Sequence, residues 1–174
     1  MKNMRLALAT ILLTLVACSQ AFGPAPTVAD QEGTIAAAQA GAPMIGGLST
    51  RGSVPNNPQP GETYTLVVPL RSGQDVLWGF GWCTQSQFQL RDNWDNMDLA
   101  FKLNGRSVSL DNFLVTEQID VGLSCRTYFV ALTDWPGGEH ELTTEVTYKK
   151  PLDDGFFEYP RGKFVIEHQA SVRE

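Results

Sequence analysis

Basic residues are scarce in this chain. Thirteen Lys and Arg stand against 19 Asp and Glu, for a formal net charge of −6. No basic stripe interrupts that balance, which argues against nucleic acid as a partner. Histidine is scarcer still, with two in the chain, His140 and His168. Each sits beside glutamate on a strand-like run, and neither has a sequence neighbour that completes an acid–base pair. The motifs G-x-S-x-G, H-E-x-x-H and the P-loop are missing. There is no C-x-x-C and no Cys/His cluster at zinc spacing. Convergent titratable groups in a cleft are what an enzyme needs, and no such set assembles here. The expectation is a non-enzymatic protein without a cofactor.

Long apolar runs are also lacking. The most apolar one, Leu6 to Ala17, holds about a dozen residues, whereas a transmembrane helix needs about 20. It follows Lys2 and Arg5 and ends in small residues, the order of a secretory signal. The residues Leu15-Val16-Ala17-Cys18 resemble the lipobox of bacterial lipoproteins. That resemblance implies a signal peptide over 1–17, cleaved before Cys18, and a diacylglyceryl group on the Cys18 thiol. Two acyl chains suffice for stable attachment where one does not. An ordinary secretory signal with an incidental cysteine is the alternative. The lipoprotein resemblance further implies an extracytoplasmic location, at the outer membrane or cell surface. Loss of Lys2 and Arg5 with the signal leaves 11 basic against 19 acidic residues, about −8, which favours solubility.

Cysteine is rare, at three residues, and an odd count in a secreted protein needs explaining. With Cys18 given to lipid by the resemblance, Cys83 and Cys125 remain. An oxidising compartment favours a disulfide between them; two separate buried thiols are the alternative.

Large apolar residues and charges are both sparse from 18 to 60, where Ala, Gly and Pro dominate. Such a segment buries too little surface to offset its ordering entropy. It is expected to be a flexible tether with a reach of roughly 35 Å. From 61 to 174 the composition changes to aromatic and β-branched residues in alternation. Strands are expected at 63–70, 76–83, 97–110, 113–119, 125–133, 139–148 and 163–172. Asn104-Gly105 marks a hairpin, and 84–94 has room for a helix. Short strands separated by turn residues indicate an all-β fold, a single antiparallel β-sandwich. A disulfide near Trp78 and Trp82 resembles the immunoglobulin-like arrangement.

Two polar stretches are candidates for binding. The loop 151–162 offers Phe156, Phe157 and Tyr159 as aromatic area and Asp153, Asp154 and Arg161 for orientation. Its rings either bind a protein or glycan or fold back over the sandwich end. Asp92, Asp95 and Asp98 supply oxygen ligands of the kind calcium takes, although their spacing is not that of an EF-hand, and Asx-turns explain them equally well. Trp135 in the turn Asp134–Gly138 carries the same choice between turn and contact. The expected function is a lipid-anchored binding or adhesion module of the cell envelope. The alternative is an accessory subunit of an envelope complex, or an inhibitor of a secreted enzyme.

Overall fold

The computed structural model describes residues 23–173. The expected signal peptide and Cys18 lie outside the described residues. In chain order the elements are β1 (Thr27–Val28), α1 (Gln31–Gln39), β2 (Thr63–Arg71), β3 (Val76–Thr84), α2 (Gln87–Asp95), β4 (Met97–Leu103), β5 (Arg106–Val108), β6 (Leu114–Asp120), β7 (Leu123–Thr133), β8 (Gly138–Tyr148), β9 (Leu152–Asp153), β10 (Glu158–Tyr159) and β11 (Gly162–Arg173).

The strands form two main sheets. One has the order β2-β11-β8-β4-β5. In the other, β7 is flanked by β3 on one edge and by β6 and β1 along the opposite edge. Period-two alternation turns Val76, Trp78, Phe80 and Trp82 of β3 to one face, where they join Leu142, Val146 and Tyr148 of β8 in a single buried core. Trp78 crosses between the sheets: its Nε1 donates to Thr144 Oγ1 at 3.1 Å and its ring meets Phe101 edge-on at 5.1 Å. The molecule is therefore mostly β, in two facing layers.

Local chemistry explains several elements. Ser86 caps α2 by accepting from Gln89 N–H, and its hydroxyl donates to Gln89 Oε1. Leu90, Asn93 and Trp94 then fall on the buried side at helical spacing. Asn104 and Gly105 both have positive φ, +50° and +75°, the conformation a two-residue hairpin requires, and they join β4 to β5.

Two expectations are corrected. The sheets are not wholly antiparallel, because β2 pairs with β11 in parallel from Thr63↔Val165 to Arg71↔Arg173. No hairpin links these two strands, and an alternating pattern sets a strand's faces without setting its neighbour's direction. The Cys83–Cys125 disulfide forms, but it joins directly opposed residues of β3 and β7 within one sheet, Cα to Cα 4.0 Å.

The second correction concerns the tether. Its described part is docked on the body. Thr27 and Val28 pair with Thr133 and Leu132. Asp30 caps α1, accepting from Gly33 N–H at 2.8 Å. Thr34 is fully buried and its Oγ1 accepts from Ala131 N–H at 3.1 Å. Ala37 packs on Leu77 and Ala131, and Ile45 enters the main core at 1% exposure. Small side chains let the helix backbone lie close to the sheet, so the segment is held by close approach and a few buried groups. A count of large apolar residues misses that mode of packing, and Gly61 is not where the ordered structure starts.

Candidate binding surface

The chain leaves β8 at Tyr148 and returns in β11 at Gly162 through a small hairpin, in which Asp153 and Leu152 pair with Glu158 and Tyr159. Asp154 organises its tip. Its Oδ1 accepts from the Phe156 and Phe157 amides at 2.7 and 2.8 Å, and its Oδ2 from the Tyr159 hydroxyl at 2.6 Å. Asp153 Oδ1 accepts from Gly155 N–H at 2.6 Å. Gly155 has φ of +94°, and a Cβ there would lie 2.5 Å from the Gln85 side chain, so glycine is required.

The six expected ligand residues divide in two. Tyr159 is 3% exposed and packs edge-on against Trp82 at 4.7 Å. Burial, followed by the bond to Asp154, raises its hydroxyl pKa. Asp154 is buried too. These two are structural and are withdrawn as ligand groups: a ring on an alternating strand points inward, and its hydroxyl brings a carboxylate with it. Phe156 and Phe157 point outward, 59% and 44% exposed, with Asp153 and Arg161 also at the surface. The loop therefore plugs the body with one ring and presents two others.

Neighbouring elements extend the surface. Gln85, between β3 and α2, donates its backbone N–H to Asp154 O at 3.0 Å and its Nε2 to Gly155 O at 2.8 Å. A groove of about 330 Å³ runs beside the tip, lined among others by Phe80, Trp82, Leu123, Phe157 and Phe164. A second hollow of about 180 Å³ is bordered by Gln87, Leu90, Ile119 and Cys125. At this end Phe88 is 83% exposed and Val121 96%, with Ile119 exposed as well. The sequence reading missed these. The signal was present in Ile119 and Val121: apolar residues flank Asp120 and precede Gly122 in a turn, where polar residues are usual.

The acidic candidates do not converge. Asp92 is held by Lys150 Nζ at 2.9 and 3.0 Å, and Asp98 by Lys149 Nζ at 2.7 Å. Asp95 stands exposed at the end of α2. Among the described residues no group of three or more His, Cys, Asp and Glu is placed to hold a metal ion. The helix ends between Asp95 and β4, which sends the carboxylates different ways, and two lysines at the end of β8 neutralise two of them. The calcium expectation is withdrawn.

Both histidines are buried. His140 Nδ1 lies 3.2 Å from Asn104 Nδ2, and its Nε2 lies 2.9 Å from Pro136 O. His168 is pushed down to about 4 by burial, offset in part by a bond to the Leu142 backbone. Trp135 is buried and its Nε1 donates to Leu132 O, so it belongs to the turn.

Fold and surface together define a β-rich module with an apolar, aromatic end face. No family model matches the sequence, and no curated protein matches it. Among solved structures, the chain is similar to one in a structure of PbICP-C in complex with falcipain-2. The identity is 6%, over 76% of this chain and all of that one, with a TM-score of 0.41. It is also similar to the Plasmodium falciparum protein Pf12p, at 10% identity over 64% of this chain and 43% of that one, TM-score 0.30. Likenesses of this size carry no argument about activity.

Proposed function

We propose that this protein is a non-enzymatic binding module, anchored at the bacterial cell envelope through a lipidated Cys18, whose end face engages a protein partner. The observation that carries the reading is the exposed pair Phe156 and Phe157, whose backbone amides donate to the buried Asp154. A backbone ordered before contact loses little freedom on binding, and aromatic residues are enriched among the residues that dominate interfaces. Phe88, Ile119 and Val121 are further exposed apolar side chains. We read the two-layer body as an open sandwich, immunoglobulin-like in outline, that serves as a rigid support. An accessory envelope subunit and a glycan receptor share the same anchor and loop. The two exposed rings at the hairpin tip favour one second reading: a loop that engages a secreted enzyme and inhibits it.

The test is capture of envelope proteins by wild type and by the double variant Phe156→Ser, Phe157→Ser. The double variant keeps its melting temperature and loses the captured partner. Tyr159→Ala instead loses about 3–5 kcal/mol of stability, the usual cost of truncating a buried aromatic. Capture undiminished in the double variant overturns the end-face reading, and binding on a glycan array with no protein captured moves the ligand class to glycan. For the anchor, Cys18→Ala releases the protein from the membrane fraction. An unmodified Cys18 thiol in the intact mass from the native host overturns it.

A further inference from the structure

β3 is an edge strand whose outer side is partly unoccupied. It pairs with β7 residue for residue from Val76↔Leu132 to Thr84↔Ser124, without a bulge. In an antiparallel ladder, alternate residues direct both N–H and C=O away from the neighbour. Two hydrogen bonds show which set points outward: Leu77 N–H donates to Pro43 O at 2.8 Å and Gln85 N–H to Asp154 O at 3.0 Å. Gly79, Gly81 and Cys83 share that parity. Among the described residues no hydrogen bond reaches their backbone on the outer side. Gly81 and Cys83 are exposed.

The chain already uses this edge one step earlier. Its own extended segment bridges β3 in parallel at Met44↔Leu77, and then turns away as Ile45 enters the core. The open stretch from Gly79 to Cys83 spans roughly 13 Å, the length of a short extended segment. The 330 Å³ groove adjoins it, since Gly81, Trp82 and Cys83 are among its lining residues. Trp82 Nε1 is buried there without a partner. The groove's one carboxylate, Asp154, is already occupied by its own loop, so nothing in the lining calls for a charged occupant.

We propose that the free edge of β3 at Gly79–Cys83 takes an extended, uncharged segment of a partner protein as an added strand, with one apolar side chain seated in the adjoining groove. Main-chain bonds supply affinity in this mode and the pocket supplies selectivity. The inference deepens the binding-module reading, on which it rests for the existence of a protein partner. An unpaired edge beside an apolar hollow is otherwise a liability that proteins cover or charge, and here the covering stops at Leu77 and resumes at Gln85.

The probe is a set of N-acetylated heptapeptides of alternating Thr and Val with a central Phe, titrated against the full mature chain. Amide exchange at Gly79, Gly81 and Cys83 is followed by NMR. Saturable binding that slows those three amides at least about tenfold is expected. Methylating the peptide nitrogens that face β3 weakens binding by about tenfold or more, a loss near 1.4 kcal/mol. Gly81→Pro does the same, because it removes an outward N–H on an edge strand where proline is tolerated. No binding overturns the proposal, as does binding indifferent to N-methylation. Protection that appears without peptide and grows with protein concentration overturns it in favour of a second copy. If Gly81→Pro fails to fold, the methylated peptides decide. Failure of the peptides while Phe156→Ser, Phe157→Ser abolishes partner capture sinks the edge site and leaves the end-face reading standing; the converse pattern does the reverse.

Discussion

The Tyr159 hydroxyl lies 2.6 Å from Asp154 Oδ2, and the other oxygen of the same carboxylate holds the amides of Phe156 and Phe157. One buried side chain thereby links a ring in the core to two rings in solvent. The backbone that carries the exposed aromatics is tied to the core through it.

Asp154→Ala is expected to cost about 2–3 kcal/mol, the scale for hydrogen bonds to a charged group. It leaves the Phe156 and Phe157 amides without their acceptor and the Tyr159 hydroxyl with Asn56 O alone. Chemical denaturation reads the loss, and faster exchange of the Phe156 and Phe157 amides reads the loosened tip. Unchanged exchange at those amides counts against Asp154 as the organiser.

Stability is expected to fall below neutral pH through His168. Its folded pKa is about 4 against an ordinary 6.5. Between those values the unfolded chain binds more protons, so stability rises with pH across pH 4–6.5 and is lost as pH falls through that window. The full effect is on the order of 3 kcal/mol. His168→Gln flattens the profile there, and a variant with the wild-type slope refutes the assignment.

Ile45→Ala tests whether the N-terminal segment belongs to the folded unit. The side chain is 1% exposed in the main core, and such truncations cost about 2–5 kcal/mol. Limited proteolysis of wild type is expected to spare α1. A stability change near zero, with rapid cleavage within 31–39, restores the flexible tether.

Replacing Cys83 and Cys125 together by Ala is expected to lower stability by about 2–5 kcal/mol, since the bridge closes a sequence separation of 42 residues. Thermal unfolding with and without reductant measures it. Two reactive thiols in the unfolded, non-reduced protein refute the bridge.

The strands and their faces were legible in the sequence, because period-two alternation is a local property. Trp78 and Trp82 face the core as their pattern requires, the Asn104-Gly105 turn has the positive φ its residue types permit, and the expected Cys83–Cys125 disulfide is present. Three things were decided only in the tertiary structure. β2 lies parallel to β11, since direction depends on how distant strands meet. The segment around Thr34, Ala37 and Ile45 is docked, because close packing by small residues leaves no apolar run to read. Asp154 and Tyr159 turn inward while Phe156 and Phe157 turn outward, since one hairpin's hydrogen bonds with Gln85 and its own amides set which rings the body has room to bury.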